Sequence, residues 1–356
     1  VKKALIAMSG GVDSSVSALL TIKEGYTCEG VTMRLFNKEQ ESEKLCKTCC
    51  SDKDIEDAMR VTNRMGIPYT VVDYTVDFKE KIIEKFVCTY EQGGTPNPCI
   101  DCNRYMKFEK LFEAARSRGC DKVVTGHYAR IEYDSEKERY LLKKAVDSTK
   151  DQSYVLYNLT QEQLAHVYFP LGGMTKASVR EIAQREGFVN ADKADSQDIC
   201  FVPDGDYAGF IEAYRGQALK SGNFVDMHGN ILGQHKGIVH YTIGQRKGLG
   251  IASSAPLFVT RIDPQRNEIV LTHGDGLFSD TLYATDVNLI SVPRIEGQMR
   301  ISAKVRYRQK EQPAVVTQLE DGRIKVKFDE PQRAITKGQA VVLYDGDIVV
   351  GGGTII

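Results

Sequence analysis

Lys3-Ala4-Leu5-Ile6-Ala7-Met8-Ser9-Gly10-Gly11-Val12-Asp13-Ser14-Ser15 is the stretch on which the fold turns. Ala4 to Met8 reads as a buried strand and Ser9 to Gly11 as a tight turn. Asp13 to Glu24 then reads as a helix that stops before Gly25, the residue type that most often ends helices. Paired glycines let backbone amides converge, the helix N-terminus adds partial positive charge, and the seryl hydroxyls supply further donors, which together describe an anion cradle. It lacks the Gly-Lys-Ser/Thr ending of a Walker A loop, which disfavours γ-phosphate transfer by that route, and the Gly-x-Gly-x-x-Gly spacing of dinucleotide folds.

The same strand-helix texture continues outward. Residues 30–35, 67–72 and 122–125 read as strands. Helical spacing covers residues 55–65, opened by a Ser51/Asp54 capping box and closed at Gly66, then residues 78–90, and residues 103–118 ending at Gly119. This alternation predicts an α/β domain with a doubly wound parallel sheet. Beyond Pro203 glycines become dense and short β-type runs replace helices. Residues 257–272 read as paired strands around an Asp263-Pro264 turn, and a break near Ser279 precedes several new strands. The expected organisation is a catalytic domain over 1–205, a small β-rich central domain over 206–279 and a C-terminal β-barrel over 280–356.

With 356 residues, 42% apolar and 27% charged, the chain has ordinary globular composition and room for a sizeable core. No apolar run approaches the roughly 20 residues of a membrane span, and Val1-Lys2-Lys3 leads straight into a strand without an apolar leader, which predicts a cytoplasmic protein with no membrane partner. The net charge of −1 gives no global pull on nucleic acid, so an RNA surface must come from local segregation of cations.

Nine cysteines, an odd number in a long chain, argue against a secreted disulfide framework. Cys28, Cys88 and Cys120 read as small buried hydrophobes. Cys46, Cys49, Cys50, Cys99, Cys102 and Cys200 fall in loop-like stretches where chemistry is expected. In Gly94-Thr95-Pro96-Asn97-Pro98-Cys99-Ile100-Asp101-Cys102 the prolines forbid regular structure and set Cys102 at the start of the next helix, where the N-terminus favours thiolate. Asp195-Ser196-Gln197-Asp198-Ile199-Cys200 is a second polar loop ending in a thiol.

The loop Ser9 to Ser15 resembles the pyrophosphatase-loop (PP-loop, HUP-like) family, whose SGGxDS signature binds ATP and supports cleavage between the α and β phosphates. Joined with the two cysteine loops, Thr125-Gly126-His127-Tyr128-Ala129, Lys150-Asp151-Gln152-Ser153-Tyr154, the segment from Tyr241 to Gly248 and Val305-Arg306-Tyr307-Arg308, it looks like the tRNA-specific 2-thiouridylases over essentially the whole chain. The resemblance implies 2-thiolation of the wobble uridine of tRNA of the Lys, Glu and Gln type. ATP would adenylate the C2 oxygen, and sulfur would then arrive from a cysteine persulfide or a cluster-bound sulfide. It makes Cys102 the nucleophile and Cys200 the persulfide carrier. It assigns Ala7, Met8, Ser9, Gly10, Gly11, Val12, Asp13, Ser14, Met33 and Gly126 to ATP, with Asp13 a candidate for Mg2+. Asn97, Pro98 and Cys99 would flank the target base, and Lys150, Asp151, Gln152, Arg306 and Tyr307 would touch tRNA. The sulfur donor would be a cysteine desulfurase, a relay protein or sulfide. One expected outcome is a disulfide between Cys102 and Cys200 after each turnover.

The chain departs from that family at Cys99, where relatives commonly carry Asp. Asp101 lies two positions on, where a shift at a helix entry redirects a side chain. The change creates Cys99-x-x-Cys102 and, with Cys200, a possible ligand set for a [4Fe–4S] cluster. Cys46, Cys49 and Cys50 are a second possible metal clip. Lys304, Arg306, Arg308 and Lys310 alternate with apolar residues, so on a strand they would share one face suited to RNA phosphates. His127 reads as a satisfied strand-end histidine rather than a base. Two other readings stand beside this one. A small-molecule PP-loop ligase resembling argininosuccinate synthase explains the loop but leaves the cysteines idle, and a noncatalytic RNA-binding or metal-sensing protein uses the fold alone.

Overall fold

The computed structural model describes residues 2–36, 52–194, 199–202 and 204–356. The chain starts with β1 (Lys3–Ala7), β2 (Thr27–Arg34), β3 (Tyr69–Asp73) and β4 (Lys122–Val124), continues through a hairpin of β5 (Ala129–Asp134) and β6 (Arg139–Lys144), and reaches β7 (Val167–Tyr168). Strands β3-β2-β1-β4-β7 lie in that order in one sheet, and every neighbouring pair is parallel. Parallel strands need crossovers, and the helices Val12–Lys23 and Asp52–Met65 supply two of them. The order reverses between β1 and β4, so the crevice beyond their C-terminal ends is where such sheets bind ligands. The glycine turn leaves β1 there, and Thr125-Gly126 leaves β4 there.

Periodicity placed these elements because β1 is buried on both faces: Ala4, Leu5 and Ile6 are fully inaccessible. Leu5 belongs to one hydrophobic cluster, with Phe78, Phe86 and Phe108, while Ala4 and Ile6 join another with Val16 and Val61. The two clusters sandwich the sheet. The expected helix over 78–90 is one turn of α-helix at Thr75–Phe78, a π-helical stretch Lys79–Ile83 and an α-helix Glu84–Glu91 in direct succession. The Ser51 capping box and the Cys46, Cys49 and Cys50 clip lie outside the described residues.

The second half is β-structure, as its texture predicts. A four-stranded sheet has the order β10-β11-β8-β9, built from β8 (Gly222–Val225), β9 (Ile231–His235), β10 (Phe258–Asp263) and β11 (Glu268–Thr272), and the Asp263-Pro264 hairpin joins β10 to β11. Then β12 (Phe278–Leu289), β13 (Gln298–Lys304), β14 (Gln312–Gln318), β15 (Ile324–Arg333), β16 (Ala340–Asp345) and β17 (Ile348–Ile355) form a six-stranded barrel, closed by the antiparallel pairing of β12 with β17. Closure removes the free edges that invite aggregation. The β5–β6 hairpin extends the barrel sheet through Ile348 opposite Lys143, which ties the first domain to the last.

Candidate active site

The turn after β1 is shaped by contacts that only glycine permits. Gly10 has φ +71°, and a Cβ there would stand 2.3 Å from the Asp54 carbonyl oxygen. A side chain at Gly126 would meet Asp13 backbone at 2.9 Å, so the two crevice loops touch. Gly11 is the N-cap of the helix Val12–Lys23 and offers no side-chain cap, which leaves the first-turn amides to another acceptor. The hydroxyls of Ser14 and Ser15 donate to the Gly11 carbonyl at 2.9 and 3.1 Å, and Ser9 N–H donates to Ser14 Oγ at 3.3 Å. Met8 is locked to β2 by its N–H to Val31 and by Thr32 Oγ1 donating to its carbonyl at 2.6 Å. Met33 is buried on the same strand.

Three side chains that the sequence reading missed grip this loop. Lys176 Nζ donates to both oxygens of Asp13 at 2.8 Å, and Tyr128 OH donates to Asp13 Oδ1 at 2.8 Å. Lys193 Nζ reaches Asp54, Asp57 and the Gly10 carbonyl at 2.6, 2.8 and 3.1 Å. Asn190 Nδ2 donates to the Gly10 carbonyl and to Ser15 Oγ, each at 3.0 Å. All three follow Pro170, far along the chain from the loop they serve. A lysine at the first position of the helix Lys176–Arg185, where the helix dipole disfavours a cation, was the one available signal.

The cysteine loops pack on the hydrophobic cluster that contains Leu5. The helix after the proline turn starts at Pro98 with Asn97 as its N-cap. This corrects the expectation that Cys102 opens it: proline at the first position fits a helix start, so Cys99 occupies the first turn and Cys102 begins the π-helical stretch Cys102–Lys110. Asp101 is nearly buried and pairs with Lys85 at 2.6 Å, while burial raises its carboxyl and Lys85 opposes that rise. Cys102, Ile199 and Cys200 all pack on the same hydrophobic cluster, and the neighbouring Phe201 is locked among Phe36, Phe78, Phe86 and Phe210. Residues 195–198 of the second loop lie outside the described residues. Cys28 is buried and its thiol is pushed up to about 11 by desolvation, but Cys88 is only half-buried and meets Glu84 and Arg215, and Cys120 is half-buried too.

The residues expected to meet RNA converge. Tyr307 OH donates to the Asp151 carbonyl at 3.1 Å, and burial raises its phenol, with Asp151 and Cys99 adding to the rise. Gln152 exchanges hydrogen bonds with the Tyr128 backbone at 2.9 and 3.0 Å, which links this turn to Asp13 through the Tyr128 hydroxyl. Asp151 is fastened by Ala145 N–H at 2.9 Å and by Ser153 Oγ at 2.8 Å, so the turn after Lys150 is preformed. Lys304 lies over the rings of Tyr154 and Tyr307, both at 5.8 Å. The expected row of four cations on one strand face is not formed. Strand β13 ends at Lys304 and the chain bends, so Arg306, Arg308 and Lys310 follow a turn instead. Arg306 donates to Ala334 O at 2.8 Å and Thr336 Oγ1 at 3.1 Å, and half-burial lowers its guanidinium. Gln339 holds the Thr95 and Pro96 carbonyls at 2.9 and 3.3 Å, so the barrel positions the loop before Cys99.

His127 is buried between Phe108 and Phe169, its Nδ1 is 2.6 Å from Thr125 Oγ1, and desolvation lowers its ring well below 6.5. It is the satisfied histidine that its position suggested. Among the described residues no three His, Cys, Asp or Glu side chains converge as metal ligands. Of the three thiols expected as cluster ligands, Cys99 is exposed and Cys102 and Cys200 are half-buried. No helix among the described residues is long and apolar enough to cross a membrane.

Three family models match in series: a tRNA methyl transferase HUP domain over residues 2–204, a tRNA methyl transferase PRC-barrel domain over 208–273 and an aminomethyltransferase beta-barrel domain over 279–355. Full-length relatives are similar throughout. The chain is 54% identical to the tRNA-specific 2-thiouridylase MnmA 1 of Thermoanaerobacter sp. (strain X514), covering 99% of this chain and 97% of that one. It is 52% identical to the tRNA-specific 2-thiouridylases MnmA of Acetivibrio thermocellus (strain ATCC 27405) and Clostridioides difficile (strain 630), over 99% of this chain and 99% and 98% of theirs. The word methyl in two of the domain descriptions has no counterpart in the names of these relatives. With its parallel-sheet domain, its PRC-barrel and its closed β-barrel matched from end to end, the chain belongs to the tRNA-specific 2-thiouridylase family.

Proposed function

We propose that the chain thiolates C2 of a tRNA wobble uridine of the Lys, Glu and Gln type by adenylating the C2 oxygen with ATP and replacing it with sulfur carried on Cys200. The observation that supports this most is the hydrogen-bonded path from the anion cradle to the residues expected to touch tRNA. It runs from Asp13 to Tyr128, and through Gln152 and Asp151 to Tyr307. A base held between Asn97-Pro98-Cys99 and Tyr307 lies along that path, and a uridine in an anticodon loop leaves its stack at low cost.

The chemistry follows from electronics. The uracil C2 carbonyl is a poor electrophile, and its oxygen leaves badly until it carries AMP. The C2 oxygen attacks the α-phosphorus, the bond to the β-phosphate breaks, and its electron pair departs with pyrophosphate while the N3 proton is lost. The amides of Ser9 to Ser14 hold the phosphates, Met33 and Gly126 shape the nucleotide pocket, and Lys150 to Gln152 with Arg306 hold the RNA. Asp13 fits a metal that arrives with the phosphates. Its carboxylate offers about four lone-pair sites, Lys176 and Tyr128 take three of these, and one oxygen contact is a usual protein share for Mg2+. Such an ion would neutralise the departing pyrophosphate.

In the second stage the terminal sulfur of a Cys200 persulfide attacks C2, and AMP leaves with the oxygen. The Cys102 thiolate then attacks Cys200 Sγ and breaks the sulfur–sulfur bond. The electron pair stays with the sulfur on C2, and a Cys102–Cys200 disulfide remains for an external thiol to reduce. The persulfide sulfur is sulfane sulfur handed over by a cysteine desulfurase or a relay protein, or sulfide that attacks Cys200 Sγ of the Cys102–Cys200 disulfide and releases Cys102 as thiolate, and the reaction is cytoplasmic. Incubating the protein with ATP, Mg2+, unmodified tRNA transcript and sulfide, then digesting the RNA for nucleoside mass spectrometry, is expected to give 2-thiouridine together with equimolar AMP. AMP without thiolated base would contradict the sulfur step.

A further inference from the structure

Accepting the glycine turn as the ATP site, we propose that Lys176 supplies the phosphate-binding cation that the loop itself lacks, with Asp13 as the group that positions it. The loop from Ser9 to Ser15 contains no lysine or arginine. Lys176 brings one from a different helix: its ammonium lies 2.8 Å from both Asp13 oxygens at the first turn of the helix Val12–Lys23.

Three features make a purely structural salt bridge a poor account of this lysine. Its side chain is nearly buried, and a buried ion pair gains little over an apolar pair because desolvation offsets the attraction. It sits at the first position of the helix Lys176–Arg185, where the macrodipole already presents partial positive charge. That helix also packs against Val12–Lys23, so two helix N-termini and the ammonium gather at the Asp13 carboxylate, with the Asp147 carboxylate at the second N-terminus. The Gly11 N-cap leaves the first-turn amides of Val12–Lys23 to another acceptor beside that ammonium. The position is enforced from every side, because Asp147 Oδ2 accepts the Lys176 N–H at 2.9 Å, Thr175 caps the helix, and the Tyr128 ring lies 5.8 Å from Nζ.

The role follows from where charge develops. As the bond between the α-phosphorus and the bridging oxygen breaks, its electron pair moves onto pyrophosphate, and negative charge on the phosphoryl oxygens is redistributed. An ammonium donating to those oxygens stabilises that distribution without giving up its proton. Lysine serves here as a point charge, which arginine reproduces only in part because its planar fork needs more room.

The test compares Lys176→Met and Lys176→Arg with the unmodified chain. It follows AMP formation with tRNA in a single turnover, ATP affinity by calorimetry, and the 31P resonance of the α-phosphorus of bound α,β-methylene-ATP. For Lys176→Met we expect AMP formation to fall by roughly a hundredfold or more, the scale of losing one transition-state donor, with ATP affinity reduced less than about tenfold and a displaced 31P resonance. Lys176→Arg is expected to recover part of the rate. If Lys176 only neutralises Asp13, Lys176→Met lowers AMP formation no more than it lowers ATP affinity, or the resonance does not move; either result overturns the proposal. Failure of the unmodified chain to bind ATP would instead refute the reading of the loop.

Discussion

Cys102 and Cys200 carry the sulfur chemistry in this account, and the scale at which to test them is the single atom. Replacing either Sγ by Oγ with serine is expected to lower 2-thiouridine formation by roughly a thousandfold or more, as loss of a covalent nucleophile does. Pyrophosphate release, which precedes the sulfur step, would continue in both variants, and parallel assays of pyrophosphate and thiolated nucleoside check the separation. Gly10 is a different kind of residue, fixed by geometry rather than reactivity. An alanine there meets the Asp54 carbonyl at 2.3 Å with φ at +71°, which is expected to cost about 1–3 kcal/mol and to loosen ATP, read by urea unfolding and calorimetry. Both cysteines and the glycine could be read in the sequence because loop chemistry is local: prolines, glycines and thiols stand next to one another. Lys176, Asn190 and Lys193 could not, since their meaning arises only when a distant segment folds over the loop.

At the scale of elements the lesson is where a helix or strand ends. Pro98 was legible as a breaker, yet proline also opens helices, and here it does so, moving Cys102 a turn inside. Alternation from Ile301 to Lys310 looked like one strand, but hydrophobic period alone does not mark the bend after Lys304. The helix Lys176–Arg185 gives a pH test of its anchoring. Hydrogen bonds from the Thr149 hydroxyl and then the Lys176 N–H hold the Asp147 carboxyl below its ordinary 3.8. A carboxyl lowered on folding contributes stability that is present above its unfolded value and is lost as pH falls through the folded one. Asp147→Asn is therefore expected to be less stable than the native chain at neutral pH, with the difference shrinking as pH drops below 3.8. Urea titrations across that range check it, and a difference that stays constant would contradict it.

On the scale of the molecule, the barrel serves the active site it does not contain. Gln339 holds the Thr95 and Pro96 carbonyls, Thr95 N–H reaches the Lys337 carbonyl at 2.8 Å, and Tyr154 OH donates to Ala340 O at 2.8 Å. Gln339→Ala is expected to raise the KM for tRNA several-fold, equivalent to about 1 kcal/mol for a lost neutral hydrogen bond, while ATP affinity stays unchanged. The succession of a parallel sheet, a small β-rich unit and a barrel was legible from the change in periodicity and glycine density. The docking of one upon another was not, because interdomain contacts leave no periodic trace. The most direct measurement is nucleoside mass spectrometry on tRNA transcript treated with the protein, ATP, Mg2+ and a sulfide source. The account predicts 2-thiouridine confined to the wobble position, dependent on ATP and lost with Cys200→Ser. Unmodified RNA from an enzyme that still binds ATP and tRNA, or thiolation that persists without Cys200, would contradict it.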